Sequence, residues 1–519
     1  MNYCELLYNT DEKYLDCEAL IDADNGRRLT YRELMKEVAG AAGFLDSRGY
    51  KPGDVIATHL YNSIEAAVVL LAVQYIGGVI CLVDPLFKTD ELDYYIKDSG
   101  ARCLITHLDE NSIETLKGEI EVINIEEIKD YINDYRDSKY SEDSTNGEDS
   151  EYSNGSKGNN ILKSEQDYYD YDKDELAMLL YTSGSTSTPK GVMLSTECFF
   201  TFLEKSNQSL YRHNKDDRLM CFVPFSHAYG SVSLLVPALD GKAALVFLRS
   251  FHPTKVAQTI LDEKITHMFG VPTHYQQLLR YESIHDTLKN LKAAFSAASP
   301  LSFDTAQRWY KVTGIHLDEG YGMTETTTLI STRMSMLPEP GGNVGFPPEG
   351  ILEIEAVNEN NEVCEDGIIG ELRVKGKGIM LGYLNRPQAT EEVLRDGWLY
   401  TGDLGYRRSD GSFVVCGRRK EFINVAGLKI SPIEIEAALN SHESVLDSAA
   451  IGIEDTLYGE LVKAFVVLRS NAKIRERDLI RYVSDKIANF KVPRSISIME
   501  ELPRNNMGKI DKKALKNIS

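Results

Sequence analysis

The chain has 519 residues and carries 57 Lys and Arg against 79 Asp and Glu, which gives a net charge of −22 at pH 7. At about 100–200 residues per domain, this length predicts several structural units with ample apolar content for a large core. The acidic balance disfavours general nucleic-acid binding, because phosphate backbones attract basic surfaces. Any anionic ligand must therefore be held by local Lys, Arg and backbone N–H groups.

Cysteine usage and the chain start predict a cytoplasmic location. The eight cysteines, at positions 4, 17, 81, 103, 198, 221, 364 and 416, show no C-x-x-C spacing, so neither a zinc site nor a redox dithiol is indicated. Scattered thiols in a chain of this size are typical of a reducing cytosol. The first residues also lack the basic and apolar regions of a signal peptide.

Strand-length apolar runs alternate with longer helical patterns through the first four hundred residues. Strands are predicted at Val55–Ala57, Val79–Val83 and Cys103–Thr106, and helices at Tyr31–Leu45 and Ile64–Tyr75. This alternation is typical of parallel α/β layers. The predicted fold class is therefore α/β, a large N-terminal domain of layered subdomains.

One stretch, Ala66 to Val83, has 18 residues without a charge and is just long enough to span a bilayer. Gln74 and the Gly77–Gly78 pair interrupt it, and a β-rich run follows. A buried helix, a glycine turn and a buried strand explain this pattern better. We expect no integral membrane segment.

Two further segments have a distinct composition. Gly- and Pro-punctuated strands around Ile351–Val357 and Gly370–Val374 predict a β-barrel-like part. Residues 137–160 contain no aliphatic side chain and are rich in Ser, Asn, Gly and acid, which predicts a mobile surface insertion.

A last unit is predicted to begin at the cluster Gly417-Arg418-Arg419-Lys420, which divides the chain into domains 1–419 and 420–519. Its predicted elements are helices at Pro432–Leu439 and around Glu476–Ala488 and strands at Ser448–Ile453 and Ala464–Leu468. This α+β module has 16 Lys and Arg against 14 Asp and Glu, unlike the acidic remainder of the chain. This difference in charge favours a C-terminal module that faces a negatively charged group.

The strongest local motif is the loop Tyr181-Thr182-Ser183-Gly184-Ser185-Thr186-Ser187-Thr188-Pro189-Lys190-Gly191. It follows the apolar strand Leu176–Leu180 and precedes a short strand, Val192–Leu194. Backbone N–H donors, hydroxyls and one ammonium are what a polyphosphate needs. It is not a Walker loop, because it lacks a Gly-Lys-Ser/Thr ending followed by a helix.

This loop resembles the signature of the adenylate-forming, or AMP-binding, superfamily, which includes acyl-CoA synthetases, luciferases and carrier-loading adenylation domains. Ser187 replaces a frequent glycine of that signature. Further blocks follow in the family's order over essentially the whole chain. The resemblance implies that the loop binds ATP through Thr182, Ser183, Gly184, Ser185, Thr186 and Lys190.

Two more blocks carry the implied nucleotide site. Glu319–Glu325 is similar to the family's Y-G-x-T-E block, which implies that Tyr321 stacks on adenine, Thr324 touches the α-phosphate and Glu325 helps hold Mg²⁺. A planar phenol suits a purine face, and a hard carboxylate suits Mg²⁺. Tyr400-Thr401-Gly402-Asp403 matches the block whose Asp accepts both ribose hydroxyls. Arg418 is expected to reinforce that contact, and Ser299 is also assigned to the nucleotide.

The block Pro503–Ile510 is similar to the family's P-R-x-x-x-G-K-I motif, which implies that Lys509 is the lysine essential for adenylation. The family rotates its C-terminal domain between two half-reactions, which implies a hinge at Lys420. The loop around Gly427 is then expected to turn towards the thiol of coenzyme A.

The acyl side is implied by Phe222–Gly230, which aligns with the family's P-x-x-H block. His227 and Ala228 are expected to line the pocket, with His227 also assigned to catalysis. The absence of Asp in Phe225–Tyr229 disfavours an amino-acid substrate. Gly322 stands where acetate-specific relatives carry Trp, which leaves room for a larger acid. Ala297 and Ala298 replace two frequent glycines and are expected to narrow the adenine side or the pocket floor.

The resemblance implies ATP-dependent activation of a carboxylic acid, fatty or aryl, to an acyl adenylate and then to an acyl-CoA. The expected cofactors are ATP, Mg²⁺ and coenzyme A. A stand-alone enzyme that loads a carrier protein is a second interpretation. A catalytically silent ligand-binding relative is a third, which Lys190, Glu325, Asp403 and Lys509 disfavour.

Overall fold

The computed structural model describes residues 2–109, 112–113, 120–140, 168–182, 188–335, 342–426, 428–469, 472–504 and 509–518, with side chains of 136–140 excepted. These residues form four β-sheets with helices packed on them. The predicted layered α/β class is confirmed. The part of the insertion 137–160 beyond Tyr140 lies outside the described residues, as do Ser183–Ser187 and Gly427.

The first sheet has eight strands. Its six central strands are parallel and an antiparallel strand closes each edge. In spatial order the strands are Ser331–Arg333, Leu317–Tyr321, Ala293–Ala297, His267–Gly270, Arg218–Cys221, Ala244–Phe247, Glu18–Asp22 and Arg28–Thr30.

The second sheet has seven strands, five of them parallel. In spatial order they are Gly382–Tyr383, Lys190–Ser195, Leu176–Thr182, Val79–Leu82, Val55–His59, Cys103–Thr106 and Glu121–Asn124. One continuous apolar core joins this sheet to the first.

The uncharged stretch forms the helix, turn and strand that its composition predicts. The Ser63 side chain accepts a hydrogen bond from the Ala66 N–H and caps the helix Ile64–Tyr75, which is buried on nearly every side. Gly77 has φ +79°, a conformation that favours glycine, and it turns the chain into the strand Val79–Leu82. No helix in the described ranges is long and apolar enough to cross a membrane.

The third sheet is antiparallel and has six strands, two of which correspond to the predicted Gly- and Pro-punctuated strands around Ile351–Val357 and Gly370–Val374. Its strands are Asn343–Gly345, Phe413–Arg418, Trp398–Arg407, Gly370–Gly376 and Leu352–Val357, with Leu394–Arg395 paired at the side.

The fourth sheet has its own apolar core. Its strands are Leu428–Ile430, Ile423–Val425, Gly459–Leu468, Val445–Asp455 and Ser495–Met499. One predicted helix is shorter than expected: it spans Glu476–Ser484, and a separate 3₁₀ turn forms at Asn489–Lys491. The chain turns at Asp485, which lets Ile487 pack against the core.

The helices cover the faces of these sheets. The α-helices are Tyr3–Tyr8, Tyr31–Ser47, Ile64–Tyr75, Thr89–Ser99, Ile125–Tyr140, Thr196–Ser209, Ala228–Ser231, Leu235–Gly241, Pro253–Asp262, Pro272–Leu278, His285–Leu288, Phe303–Thr313, Pro387–Val393, Pro432–Asn440, Glu476–Ser484 and Lys512–Asn517. The 3₁₀ helices are Glu12–Tyr14, Glu282–Ile284, Thr324–Thr326, Arg419–Glu421 and Asn489–Lys491.

Candidate functional site

The candidate site lies where parallel strands end. Three strands of the first sheet run directly into the predicted motifs: Arg218–Cys221 before His227, Ala293–Ala297 before Ser299, and Leu317–Tyr321 before Glu325. In open α/β sheets, ligands bind beside the carboxyl ends of the strands. The topology thus places motifs that are distant in sequence at one edge of one sheet.

Asp403 connects two of these motifs. The Tyr321 hydroxyl donates a hydrogen bond of 2.6 Å to Asp403 Oδ2, and Arg418 Nε lies 3.4 Å from Oδ1. Asp403 and Arg418 are direct partners on adjacent antiparallel strands, which fixes their pairing. The Asp403 side chain is buried, which raises its pKa, and the Arg418 charge opposes that rise. The group offers two oxygens to paired hydroxyls of a ligand.

Glu325 is a buried carboxylate on the short 3₁₀ helix Thr324–Thr326. The Tyr383 hydroxyl donates to its Oε1 at 2.8 Å, and the Lys190 ammonium lies 4.8 Å from the centre of the Tyr383 ring. A buried carboxylate and an ammonium that both contact Tyr383 fit a ligand that carries both phosphates and a divalent cation.

Lys509 is brought to this group from the C-terminal end of the chain. Burial and the Arg418 charge lower the pKa of Lys509, whereas Asp403, Glu325 and Glu421 oppose that shift. The carboxylates of two separate motifs, Asp403 and Glu325, therefore act electrostatically on the Lys509 side chain.

Ion pairs and a backbone contact hold the segment that carries Lys509. The next lysine, Lys512, lies 3.0 Å from a carboxylate oxygen of Glu436 and 3.4 Å from one of Glu421. The Asp511 N–H donates to the Pro503 carbonyl at 2.8 Å, which closes the loop on the opposite side. The lysine is thus anchored by groups that lie far from it in sequence.

His227 precedes the short helix Ala228–Ser231 and is a neutral group at pH 7. Burial lowers its pKa to about 4, the Lys509 charge lowers it further, and Asp84 opposes the shift. Among the described residues, no partner forms a hydrogen bond with its Nε2, which is buried. Ala228 and Phe225 beside it are buried and apolar. This side of the site suits an uncharged, apolar group.

Gly322 is required by the backbone around it. A Cβ at this position would lie 1.2 Å from the Thr328 carbonyl oxygen, so any side chain would force two segments apart. The sequence analysis assigns Gly322 to the space for a larger acid, which stays a prediction, and the backbone contact is a separate requirement for glycine. A larger residue at 322 is therefore expected to perturb the turn itself.

Ala298 is strained, because its φ is +71°, a region that L-residues rarely adopt. Ala297, its neighbour, is the last residue of a regular strand and pairs with Gly320.

We expect Ala298→Gly to raise the midpoint of urea unfolding, because relief of about 1–2 kcal/mol of strain exceeds the entropic cost of glycine, about 0.5–1 kcal/mol. Ala297→Gly is the matched control and should lower the midpoint; equal shifts in the two variants would contradict this interpretation.

Other predicted residues lie around this group. Thr182 and Lys190 pair across adjacent strands at the two ends of the loop, whose residues Ser183–Thr186 lie outside the described part. Thr324 lies next to Glu325, and Ser299 is partly buried beyond Ala298. Lys420 is exposed on the 3₁₀ helix Arg419–Glu421, at the junction with the fourth sheet, and Gly427 is not described.

Tyr383 is a site residue that sequence reasoning missed. It belongs to a two-residue strand at the edge of the second sheet, yet it contacts both Glu325 and Lys190. A lone tyrosine after a glycine gives no sequence signal of such a role. Only the pairing of Gly382–Tyr383 with Val192–Met193 brings its ring to the site.

Two family models match the chain. The model described as AMP-binding enzyme matches residues 7–384, and the model described as AMP-binding enzyme C-terminal domain matches residues 434–509. Of the residues described above, Asp403, Arg418, Lys420, Glu421, Asp511 and Lys512 lie outside these two matches.

Curated proteins and solved structures resemble the chain over nearly its full length. A long-chain-fatty-acid–CoA ligase of Bacillus subtilis (strain 168) is 30% identical, over 94% of this chain and 90% of that protein. An oxalate–CoA ligase of Arabidopsis thaliana is 30% identical, over 98% of this chain and 96% of that protein. The crystal structure of ATP-bound MatB from Rhodopseudomonas palustris superposes with a TM-score of 0.86 at 28% identity, over 100% of this chain and 99% of that one.

Proposed function

This chain belongs to the AMP-binding enzyme family, and from that premise we propose that it is an acid–CoA ligase that works through an acyl adenylate. It joins a carboxylic acid to coenzyme A at the expense of ATP, which is split to AMP and pyrophosphate. The relatives named above are ligases of chemically different acids, so the family by itself does not choose the acid.

The observation that carries the proposal is the group formed by Tyr321, Asp403 and Arg418, whose charges act on the pKa of Lys509. A carboxylate is a poor electrophile, because its charge repels nucleophiles and oxide is a bad leaving group. Attack of the carboxylate on the α-phosphorus of ATP makes a P–O bond and releases pyrophosphate. Such a step needs alignment and neutralised charge more than proton transfer, and an ammonium beside the nucleotide would supply both.

We assign the nucleotide to the side of the site formed by Tyr321, Asp403 and Arg418. In this assignment the Tyr321 ring lies against adenine, Asp403 accepts the ribose hydroxyls, and Arg418 holds the Asp403 carboxylate in place. Thr324 and Lys190 are assigned to the phosphates. The hydrogen bond between Tyr321 and Asp403 supports this arrangement, since it keeps both groups on one side of the site.

Glu325 would hold Mg²⁺ together with phosphate oxygens of ATP. Its buried carboxylate and the nearby Lys190 fit that role, since Mg²⁺ is usually bound by one or two carboxylates and substrate phosphates. When bound, the cation would neutralise phosphate charge. Tyr383 would keep the carboxylate in one orientation by donating to Oε1.

The acid is apolar in this proposal, a fatty or an aryl acid. Neutral His227 and the buried Ala228 and Phe225 offer no charge to pair with an ammonium or a second carboxylate on the substrate.

The acyl adenylate then reacts with a thiol: the sulfur bonds to the carbonyl carbon, and AMP leaves. Free coenzyme A is the proposed acceptor, with a carrier-protein pantetheine arm as the alternative.

The test is pyrophosphate release with ATP, Mg²⁺ and a panel of fatty and aryl acids, with and without coenzyme A. We expect acid-dependent release that coenzyme A accelerates, with AMP and a thioester as products. Release that is indifferent to coenzyme A would favour a carrier protein. No release with any acid would contradict the proposal and favour a ligand-binding relative.

The C-terminal segment, residues 420–519, is proposed to move between the two half-reactions. In the arrangement described here, Arg469 Nη2 lies 2.6 Å from Asp304 Oδ2 and Arg504 Nη1 donates to Thr273 Oγ1 at 3.3 Å. Both contacts join this segment to the first 419 residues, so they stabilise the arrangement in which the charge of Asp403 acts on Lys509.

We expect Asp304→Asn to slow adenylate formation about two- to fivefold, because a partly exposed ion pair contributes up to about 1 kcal/mol. Thioester formation from a supplied acyl adenylate should stay equal or become faster, since the competing arrangement is no longer disfavoured. Asp286→Asn, in an exposed pair with Lys289, is the control. An equal loss in both half-reactions would exclude this role for the Arg469–Asp304 pair.

A further inference from the structure

Lys205 is a fully buried lysine that the proposed reaction does not yet use. It lies on the helix Thr196–Ser209 and has no exposed surface, and its Nζ donates to the Thr326 carbonyl at 3.0 Å. Among the described residues, no carboxylate forms an ion pair with it. A buried charge without an opposite charge destabilises a fold, so its presence indicates a purpose other than stability.

The Thr326 carbonyl belongs to the turn that carries Thr324 and Glu325. On its other side, three hydrogen bonds connect this turn to the segment 378–383: Thr327 Oγ1 to the Gly378 carbonyl at 3.0 Å, Met380 N–H to the Glu325 carbonyl at 2.9 Å, and Tyr383 hydroxyl to Glu325 Oε1 at 2.8 Å. A Cβ at Gly378 would lie 3.3 Å from Lys205 Nζ, so the ammonium packs against both the turn and this segment.

The turn needs such support because it is strained. Thr327 and Thr328 have φ values of +51° and +72°, although both are β-branched. Strained residues persist only where surrounding contacts determine the conformation, and they cluster at functional sites. The Thr326 carbonyl belongs to the residue just before this strained pair. The Ser233 hydroxyl donates a hydrogen bond of 2.9 Å to the Thr328 hydroxyl, which is a further contact of the pair.

We propose that Lys205 is a positioning residue for adenylate formation, in which its ammonium fixes the Thr326 carbonyl and so holds Thr324 and Glu325 towards the phosphates of ATP. The inference rests on the proposed function, because it assumes the assignment of those two residues to the nucleotide. Lys205 touches no reacting atom. Its contribution is mainly to the first half-reaction, because Glu325 is assigned to the Mg²⁺ and the phosphates that leave as pyrophosphate, whereas the α-phosphate assigned to Thr324 is present in both half-reactions.

The electrostatics of Lys205 give an independent measurement. Burial lowers its pKa to about 7, and the nearby Cys198 thiol of the same helix opposes the shift. The unfolded chain, with an ordinary lysine pKa near 10.5, binds more protons than the folded chain between about pH 7 and pH 10.5. The contribution of Lys205 therefore makes the fold more stable as pH rises through that window, and the destabilisation is fully present below pH 7.

Lys205→Met keeps the shape of the side chain and removes the charge and the donor. We expect it to slow acid-dependent pyrophosphate release at least tenfold and to raise the KM for ATP more than the KM for the acid. Thioester formation from a supplied acyl adenylate should stay within twofold of the wild type. The unfolding midpoint at pH 6 should equal or exceed that of the wild type, and the difference should shrink towards pH 10.5. Lys215→Met, at an exposed lysine, is the matched control.

The outcomes separate the inference from the proposed function. If the wild type itself shows no acid-dependent pyrophosphate release, the proposed function fails before Lys205 is tested. If the wild type is active and Lys205→Met keeps its adenylation rate within twofold, the positioning role is wrong. Equal losses in both half-reactions with a lower midpoint, or a variant that does not fold, would also overturn it, because a purely structural lysine would behave in that way.

Discussion

Lys509→Ala is expected to slow adenylate formation about 10²- to 10³-fold while leaving thioester formation from a supplied acyl adenylate within a few-fold of the wild type. The reason is positional. The charges of Asp403 and Glu325 act on the pKa of the Lys509 ammonium, and in the proposed mechanism this ammonium offsets the negative charge on the phosphate oxygens in the first half-reaction. The second half-reaction breaks a C–O bond and needs no charge at that place.

The measurement compares pyrophosphate release with thioester formation from a synthetic acyl adenylate in the same preparation. Lys513→Ala removes an exposed lysine four residues away and serves as the control. Equal losses in the two assays would show that Lys509 supports the fold or both reactions, and its assignment to adenylation would be wrong.

Asp403→Asn should lower kcat/KM for ATP about ten- to a hundredfold, because charge-assisted hydrogen bonds to a ligand are worth about 1.5–3 kcal/mol. The amide offers one acceptor where the carboxylate offers two, so one ribose hydroxyl loses its partner. The Tyr321 hydroxyl and Arg418 also lose part of their charged acceptor.

The sharper readout is discrimination between sugars. The wild type should prefer ATP to 2′-deoxy-ATP and 3′-deoxy-ATP, and Asp403→Asn should reduce that preference. Asp396→Asn is the control, since Asp396 is exposed and its φ of +54° suits asparagine. A wild type that uses all three nucleotides equally would contradict the assignment of Asp403 to the ribose.

Most of the regular elements follow from the sequence. The strand Cys103–Thr106 and the helix Ile64–Tyr75 begin and end at the predicted residues, because short apolar runs and a serine cap specify them locally. The helix predicted around Glu476–Ala488 ends at Ser484 instead, and Ile487, beyond its end, makes a tertiary contact with the core that the local pattern does not record.

The residues of the candidate site likewise fall into those that the sequence predicts and those that only the structure reveals. The sequence identifies Tyr321, Asp403 and Lys509 through their motifs. Only the structure shows that Tyr321 and Asp403 share a hydrogen bond and that the charge of Asp403 acts on Lys509. Tyr383 and Lys205 lie in no recognised motif and are visible only once the chain is folded. The roles of all these residues stay predictions until the variants are measured.

The sequence by itself determined the α/β class, the order of the motifs and the chemistry of the side chains, because periodicity, turn residues and functional groups are local properties of the chain. Only the tertiary structure decided which groups meet. Residues from positions 182 to 509 are brought to one site from separate sheets, and burial there makes His227 neutral and lowers the pKa of Lys205, while the fold places Gly322 against the Thr328 carbonyl. These properties depend on desolvation and on contacts across long stretches of sequence, which no local pattern records.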